Sequence, residues 1–319
     1  MAFMRQLSEK FNEIKTQIPG VLEQANKAKQ NLAPVFNKLD AMGNKLDSLA
    51  KTLQLPVDRK QSPIDILPIY TAFDPALENA TFRFDYDDSS QSVLRNIGSC
   101  LSIKYADGCS DDFGASFLGE EQYHLDTVNF HWGNEPMNGS EHNIGGIGYA
   151  AEIHFIHRNL KYATLDGALK QPDGVVAIAV FLNESHGDNL NLIPLTNVLP
   201  NVPFNGNESG LQGLRFTQLV PGVEKSKDFW VYEGSETVEP FREIVKWIVF
   251  RSAIPISSEQ VGTFCKIYKI NKLEKLRGLK RSRVEDEVEE QMQPIRPAQS
   301  LNGRIARSSF KSVAQAELP

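Results

Sequence analysis

The sequence is poor in cysteine, and this scarcity excludes one class of architecture. Only three of its 319 residues are cysteines, Cys100, Cys109 and Cys265, and no two of them form a CxxC pair. An odd and scattered set of cysteines does not build a disulfide framework, and it is typical of proteins from a reducing compartment. The chain must therefore be held together by a hydrophobic core.

Long apolar runs and an excess of basic residues are also missing. No apolar stretch approaches the length of about 20 residues that spans a bilayer, and the N-terminus lacks the continuous apolar core of a signal peptide. Four Asn-x-Ser/Thr sequons carry little weight without such a signal. The net charge of −6 argues against nucleic acid as a partner. We expect an intracellular protein, cytoplasmic or organellar, with no transmembrane segment and no support for secretion.

Residues 1–58 differ from the rest of the chain in the spacing of their apolar residues. From Leu7 to Leu53, apolar or alanine positions recur with alternating steps of four and three, which is the a/d pattern of helices that pack against other helices. Pro19 and Pro34 each remove a helix hydrogen bond. The pattern therefore predicts two or three amphipathic helical segments, rather than one straight coiled coil, that serve oligomerisation or docking.

This N-terminal extension has alternative interpretations. It can pack on its own globular domain, or it can lie on a membrane surface. Both signs of charge occur on the polar face, which weakens the membrane interpretation because surface-bound helices are usually rich in Lys and Arg. We expect self-association, or binding of protein partners, through residues 1–55.

The composition and pattern of residues 59–319 are typical of a mainly β domain. Segments 101–105, 127–131, 151–156 and 175–182 are rich in β-branched and aromatic residues, and Gly, Asn, Asp or Pro bound them. Helical signals are few and short. We therefore predict one large α+β domain dominated by strands.

Two of these predicted strands carry residues that can bind a metal. Side chains two apart on a strand share a face, so His131 projects with Asn129, and His154 projects with Glu152. If the strands are neighbours, His131 and His154 converge, and zinc takes neutral imidazoles as ligands. Histidines on separate strands also occur as hydrogen-bonded core residues, so the spacing alone leaves both readings open.

Longer motifs carry a resemblance to a known family, the α-carbonic anhydrases. They are FHWG at 130–133, GSEH at 139–142, YAAEIHFIH at 149–157, QSPIDI at 61–66, QPDG at 171–174, FWVY at 229–232, SSEQV at 257–261, RPAQ at 296–299 and SFK at 309–311. Their order matches the family over residues 60–311. The Trp- and His-containing stretch that usually precedes the domain is absent, and the heptad segment stands in its place.

The resemblance implies a fold and a reaction. The fold is a large, twisted, mostly antiparallel central sheet with short helices around it. In the family, three histidines hold zinc, which makes hydroxide available near neutral pH for the hydration of carbon dioxide. A threonine held by a glutamate orients the hydroxide, an apolar wall receives carbon dioxide, and a histidine at the rim carries the proton away.

Only part of the implied zinc site is present in this sequence. His131 and His154 match the second and third ligands, but Asn129 occupies the position of the first ligand. Glu152 matches the residue that orients the third ligand. Thr127 stands where the family has a glutamine that orients the first. An amide oxygen is a weaker zinc ligand than an imidazole.

Four further positions complete the comparison with the family. Thr237 and Glu141 match the pair that orients the hydroxide. Glu236 replaces the apolar residue in the carbon dioxide wall, and a buried carboxylate needs a partner or solvent. Ser99 occupies the proton-shuttle position and does not titrate near neutral pH.

These departures make the chain similar to the acatalytic carbonic-anhydrase-related proteins. We expect a catalytically inactive structural or protein-interaction component without a bound cofactor. The alternative is a weakly active, zinc-dependent carbonic anhydrase with a degraded metal site. We interpret His142 and His157 as structural residues, since both lie off the expected ligand face.

Overall fold

Strands dominate the part of the chain that the computed structural model describes, which comprises residues 60–89, 91–105, 112–135, 137–221, 228–267, 292 and 294–312. The helical extension predicted for residues 1–58 lies outside the described residues, so its structure and its role stay predictions. Cys109 also lies outside them.

Thirteen strands of the described residues join in one mixed, twisted sheet. Their main order is β11-β4-β5-β7-β9-β10-β13-β12-β15-β2, while β3 and β6 extend from β7, and β14 pairs with β10. The strands in chain order are β1 (Asp65–Ile66), β2 (Ala72–Phe73), β3 (Phe82–Asp85), β4 (Ser92–Asn96), β5 (Leu101–Tyr105), β6 (Asp112–Ala115), β7 (Tyr123–Trp132), β8 (Asn143–Ile144), β9 (Ala151–Asn159), β10 (Val175–Ser185), β11 (Glu208–Leu211), β12 (Phe229–Gly234), β13 (Val245–Phe250), β14 (Ile254–Ser257) and β15 (Arg307–Ser308).

Most neighbouring strands of this sheet are antiparallel. The exceptions are β10, which runs parallel to β13 and β14, and β15, which runs parallel to β2. Strands β1 and β8 form a separate parallel pair. The predicted fold class, a large and mostly antiparallel twisted sheet, is therefore confirmed. The four predicted strand segments lie within β5, β7, β9 and β10.

Helices are short and lie between the strands. The α-helices of the described residues are α1 (Pro75–Glu78), α2 (Leu165–Ala168), α3 (Ile193–Val198) and α4 (Ser258–Phe264). Helix α4 begins with a capping box, in which Ser257 accepts from the Gln260 backbone N–H and the Gln260 side chain accepts from the Ser257 N–H. Among the described residues, no helix is long and apolar enough to cross a bilayer.

The pattern of residues on the central strands decides where a polar site can lie. Strand β10 begins with eight consecutive buried residues, because it is covered on both faces. On β7 and β9 apolar side chains such as Val128, Phe130, Ile153 and Phe155 enter the larger core. The alternate positions point away from that core. They carry the polar residues of the candidate site.

Candidate functional site

Strands β7 and β9 bring the candidate metal ligands together. Their antiparallel register places Asn129 opposite His154, and His131 opposite Glu152. The ring centroids of His131 and His154 are 4.4 Å apart. The two strands are therefore neighbours, and the two histidines converge as their spacing predicts. Their role as ligands remains a prediction.

A distant backbone carbonyl fixes the orientation of His131. Its Nδ1 lies 2.7 Å from the carbonyl oxygen of Pro294. A carbonyl oxygen can only accept, so Nδ1 carries the hydrogen and Nε2 presents a lone pair. Burial lowers the pKa of His131 to about 4, so the imidazole is neutral at physiological pH. His131 Nε2 is buried and has no hydrogen-bond partner among the described residues.

His154 is oriented in the same manner by a carboxylate. Its Nε2 donates to Glu152 Oε1 at 2.7 Å, which leaves Nδ1 as the acceptor nitrogen of the ring. His154 Nδ1 lies 3.7 Å from Glu141 Oε2. Burial, followed by the neighbouring His131, lowers the pKa of His154. Both imidazoles therefore offer a lone pair to the same region.

The Glu152 carboxylate collects four hydrogen bonds behind the two histidines. Its Oε2 accepts from the backbone N–H groups of Glu141 and His142, at 2.8 Å each. Its Oε1 lies 2.6 Å from His142 Nδ1 and 2.7 Å from His154 Nε2. Burial alone would raise the pKa of Glu152. Electrostatic interactions and hydrogen bonds with His142 and His154 outweigh burial and hold the pKa of Glu152 well below its usual range. Glu152 is therefore ionised.

His142 and His157 have different surroundings. His142 Nε2 lies 2.6 Å from the Tyr232 hydroxyl, which donates to Ser62 Oγ at 2.9 Å. His142 therefore links Glu152 to the chain near Ser62. His157 lies on the opposite face of β9, where its Nε2 is 2.7 Å from the Tyr86 hydroxyl. These positions are compatible with the structural roles that the sequence suggests for both.

Glu141 and Thr237, the predicted orienting pair, also lie together. The backbone N–H of Arg296 donates to Glu141 Oε1 at 2.8 Å. Burial raises the pKa of Glu141 to about 7, and the electrostatic interaction with His154 and the Thr237 hydroxyl oppose that rise. The contacts of Pro294 and Arg296 are features of the candidate site that the sequence did not reveal, although Arg296 belongs to one of the family-like motifs.

A cavity of about 190 Å³ opens in front of this cluster. Its polar lining consists of Ser102, Thr127, Asn129, His154, Glu236 and Thr237. Its apolar lining consists of Ile97, Ile156, Leu165, Leu169, Val175, Val238, Val245 and Trp247. Ser99, at the predicted shuttle position, is exposed in the turn between β4 and β5 and does not line the cavity.

Glu236 lies in the cavity wall and has a cationic partner. Its Oε2 accepts from Arg242 Nε at 2.7 Å and from the Arg242 backbone N–H at 3.2 Å. Its Oε1 accepts from Arg242 Nη2 at 3.1 Å. The sequence predicted that this carboxylate would need a partner or solvent, and Arg242 is a partner. A bidentate ion pair therefore forms part of the cavity wall.

The donor set of the cluster fits a divalent metal ion. Asn129 Oδ1, like His131 Nε2, is buried without a hydrogen-bond partner among the described residues. Ligand atoms of His131, Glu141 and His154 lie within 4.8 Å of one another. Asn129 Oδ1 and the two free imidazole nitrogens are acceptors, and two imidazole nitrogens with one oxygen make a weaker zinc site than three imidazoles do.

Comparisons with known proteins give the same assignment as the motifs. A sequence model of the family described as eukaryotic-type carbonic anhydrase matches residues 44–310. The chain is 32% identical over 255 residues to carbonic anhydrase 3 of Equus caballus, which covers 79% of this chain and 90% of that protein. It is also 32% identical over 256 residues to carbonic anhydrase 7 of Homo sapiens, and this match covers 79% of this chain and 89% of that protein.

The network behind the histidines predicts a large loss of stability when Glu152 is changed. We expect Glu152→Gln to lower the free energy of unfolding by about 3–5 kcal/mol, as for a broken buried ion pair. The glutamine NH2 group would face donors instead of accepting from them. Urea unfolding followed by tryptophan fluorescence measures the change.

The matched control for this variant is Glu208→Gln. Glu208 pairs with Arg95 at 2.9 Å on the surface, with more than half of each side chain exposed. This pair should contribute less than about 1 kcal/mol. Equal small losses in both variants would show that Glu152 does not hold the site together.

The raised pKa of Glu141 predicts that the stability of the folded chain falls as pH rises. An acid with a raised folded pKa keeps its proton in the native state, so its stabilisation is full below the unfolded pKa and is lost as pH rises through about 7. In Glu141→Gln this loss should be absent. Relative to the native chain, the variant should gain about 3 kcal/mol between roughly pH 5 and pH 8. Urea unfolding in chelator at several pH values tests this, and parallel curves would contradict it.

Proposed function

The chain belongs to the eukaryotic-type carbonic anhydrase family, and on this basis we propose that it is a catalytically silent member acting as a structural or protein-interaction component. Family members that catalyse carbon dioxide hydration need an apolar wall beside the metal-bound hydroxide. The proposal depends on what has happened to that wall and to the first metal ligand.

The Glu236–Arg242 pair is the observation that carries the proposal. Carbon dioxide is a small, uncharged molecule, and an apolar wall holds it without competing for water. At this position the wall presents a carboxylate that accepts three hydrogen bonds from one arginine. Such a pair keeps water near its exposed edges. Productive binding of carbon dioxide is therefore disfavoured whether or not a metal is present.

Asn129 and Ser99 act in the same direction. An amide oxygen donates less electron density to a metal than an imidazole does, and it weakens metal binding. Ser99, at the predicted shuttle position, does not line the cavity, and a serine cannot take up the proton that hydration releases at neutral pH. The ligand, the wall and the shuttle are chemically independent of one another, so their joint loss supports loss of the reaction rather than a change in one step.

The binding role is supported by the sequence pattern of residues 1–58. Helices with a sustained a/d spacing pack against other helices through that apolar face. The rigid sheet would then serve as the body that this extension assembles or docks. We therefore propose a protein partner or a second copy of the chain as the binding target.

Stopped-flow measurement of carbon dioxide hydration tests the catalytic proposal. The native full chain, loaded with zinc, should not exceed the rate of buffer alone. Asn129→His should strengthen zinc binding without giving efficient turnover, since Glu236 remains. Asn129→His/Glu236→Leu should gain zinc-dependent, sulfonamide-sensitive turnover. Clear sulfonamide-sensitive turnover by the native chain would instead establish the alternative, a weakly active carbonic anhydrase.

Deletion of residues 1–55 tests the interaction proposal. The truncated chain should show a smaller mass by multi-angle light scattering, or should no longer co-purify with its assembly. A matched full-length variant with Leu39→Asp and Leu46→Asp should behave in the same way, because it interrupts the apolar seam without shortening the chain. Unchanged mass and unchanged co-purifying proteins in both would reject the proposed role.

A further inference from the structure

We propose that the domain retains a divalent metal ion despite the lost histidine, and that Asn129 Oδ1 is its third ligand beside His131 Nε2 and His154 Nδ1. This inference goes beyond the proposed function and is independent of it. A site can hold a metal for structural reasons while the cavity in front of it no longer supports catalysis.

The groups behind the two imidazoles orient both rings for metal binding. His131 Nδ1 is committed to the Pro294 carbonyl at 2.7 Å, and His154 Nε2 is committed to Glu152 at 2.7 Å. Metal-binding histidines usually donate their second ring nitrogen to a carbonyl or carboxylate in this manner. Each ring is thereby held in the tautomer that leaves one lone pair for a cation.

The unsatisfied atoms of the cluster supply the second argument. Asn129 Oδ1 and His131 Nε2 are both buried and lack hydrogen-bond partners among the described residues, as does Glu141 Oε2, which lies 3.7 Å from His154 Nδ1. Buried polar atoms are nearly always paired, and each exception requires an explanation. Because Asn129 Oδ1 and His131 Nε2 can only accept, their missing partner must be a cation or a donor. Asn129 stands directly opposite His154 in the strand register, so its oxygen belongs to the same group.

Proximity gives the third argument. Ligand atoms of His131, Glu141 and His154 lie within 4.8 Å of one another, so lone pairs from several side chains meet in one small region. A divalent cation would satisfy the orphaned acceptors there at the same time.

The donor set also indicates which ions to use as probes. Imidazole suits zinc, copper, nickel and iron, whereas amide and carboxylate oxygens suit harder ions. Two nitrogens and one oxygen should bind first-row divalent ions more weakly, and with less preference among them, than three imidazoles would. Zn²⁺ and Co²⁺ are suitable because Co²⁺ reports its coordination by visible absorption.

Metal titration of the full chain tests the inference. After removal of metal with a chelator, the native chain should bind one Zn²⁺ in competition with an indicator, and Co²⁺ should give visible d–d bands. Asn129→Leu removes the ligand oxygen and keeps the branching of the side chain at Cγ. It should weaken binding more than about 100-fold, beyond the usual effect of changing an outer partner. Asn129→His should tighten binding by a similar factor.

Two comparisons keep the result interpretable. His186→Asn changes an exposed histidine remote from the cluster in sequence, and it should leave the affinity unchanged. Thermal melts in chelator show whether each variant folds, and added Zn²⁺ should raise the melting temperature of the native chain but not that of Asn129→Leu. No stoichiometric binding by the native chain, or equal binding by Asn129→Leu, would overturn the inference. Binding lost in Glu141→Gln but kept in Asn129→Leu would also overturn it, since the third ligand would then be Glu141.

Discussion

The candidate site depends on one buried carboxylate. Glu152 joins the segment that carries Glu141 and His142 to strand β9 by accepting two backbone hydrogen bonds, and it orients two imidazoles with its other oxygen. Charge-assisted hydrogen bonds of this kind are strong when water is excluded. Loss of the carboxylate would leave several buried donors without an acceptor. Selection on folding alone is therefore a sufficient reason for this network to persist, even without catalysis.

The cavity side of the site is stabilised by different interactions from the network behind the histidines. The network behind the histidines is buried and fully connected. The cavity in front of them is lined by Asn129 and Glu236, the positions at which we infer a departure from the family pattern. Arg242 compensates Glu236 locally, so this change is tolerated without disturbing the sheet. Because the hydrogen-bond network and the cavity wall are stabilised separately, a site can keep the network and lose its reaction.

Sequence reasoning succeeded where a regular repeat or a local motif carried the signal. Strand alternation predicted that His131 and His154 share a region, and the register of β7 and β9 places them there. It could not find the Pro294 carbonyl that orients His131, because that contact spans 163 positions of the chain. Arg242 was missed for a related reason: a surface arginine gives no sign that its loop returns to the wall. The orphaned oxygen of Asn129 is a property of packing and cannot be read from residue types.

We propose that this family member keeps the scaffold of the reaction without the reaction. Exchange of ¹⁸O between carbon dioxide and water, followed by mass spectrometry on the full chain with zinc bound, tests this most directly, because it detects even slow hydration at equilibrium. We expect an exchange rate equal to that of zinc-containing buffer. A rate that scales with protein concentration and falls to the buffer value on addition of a sulfonamide would contradict it.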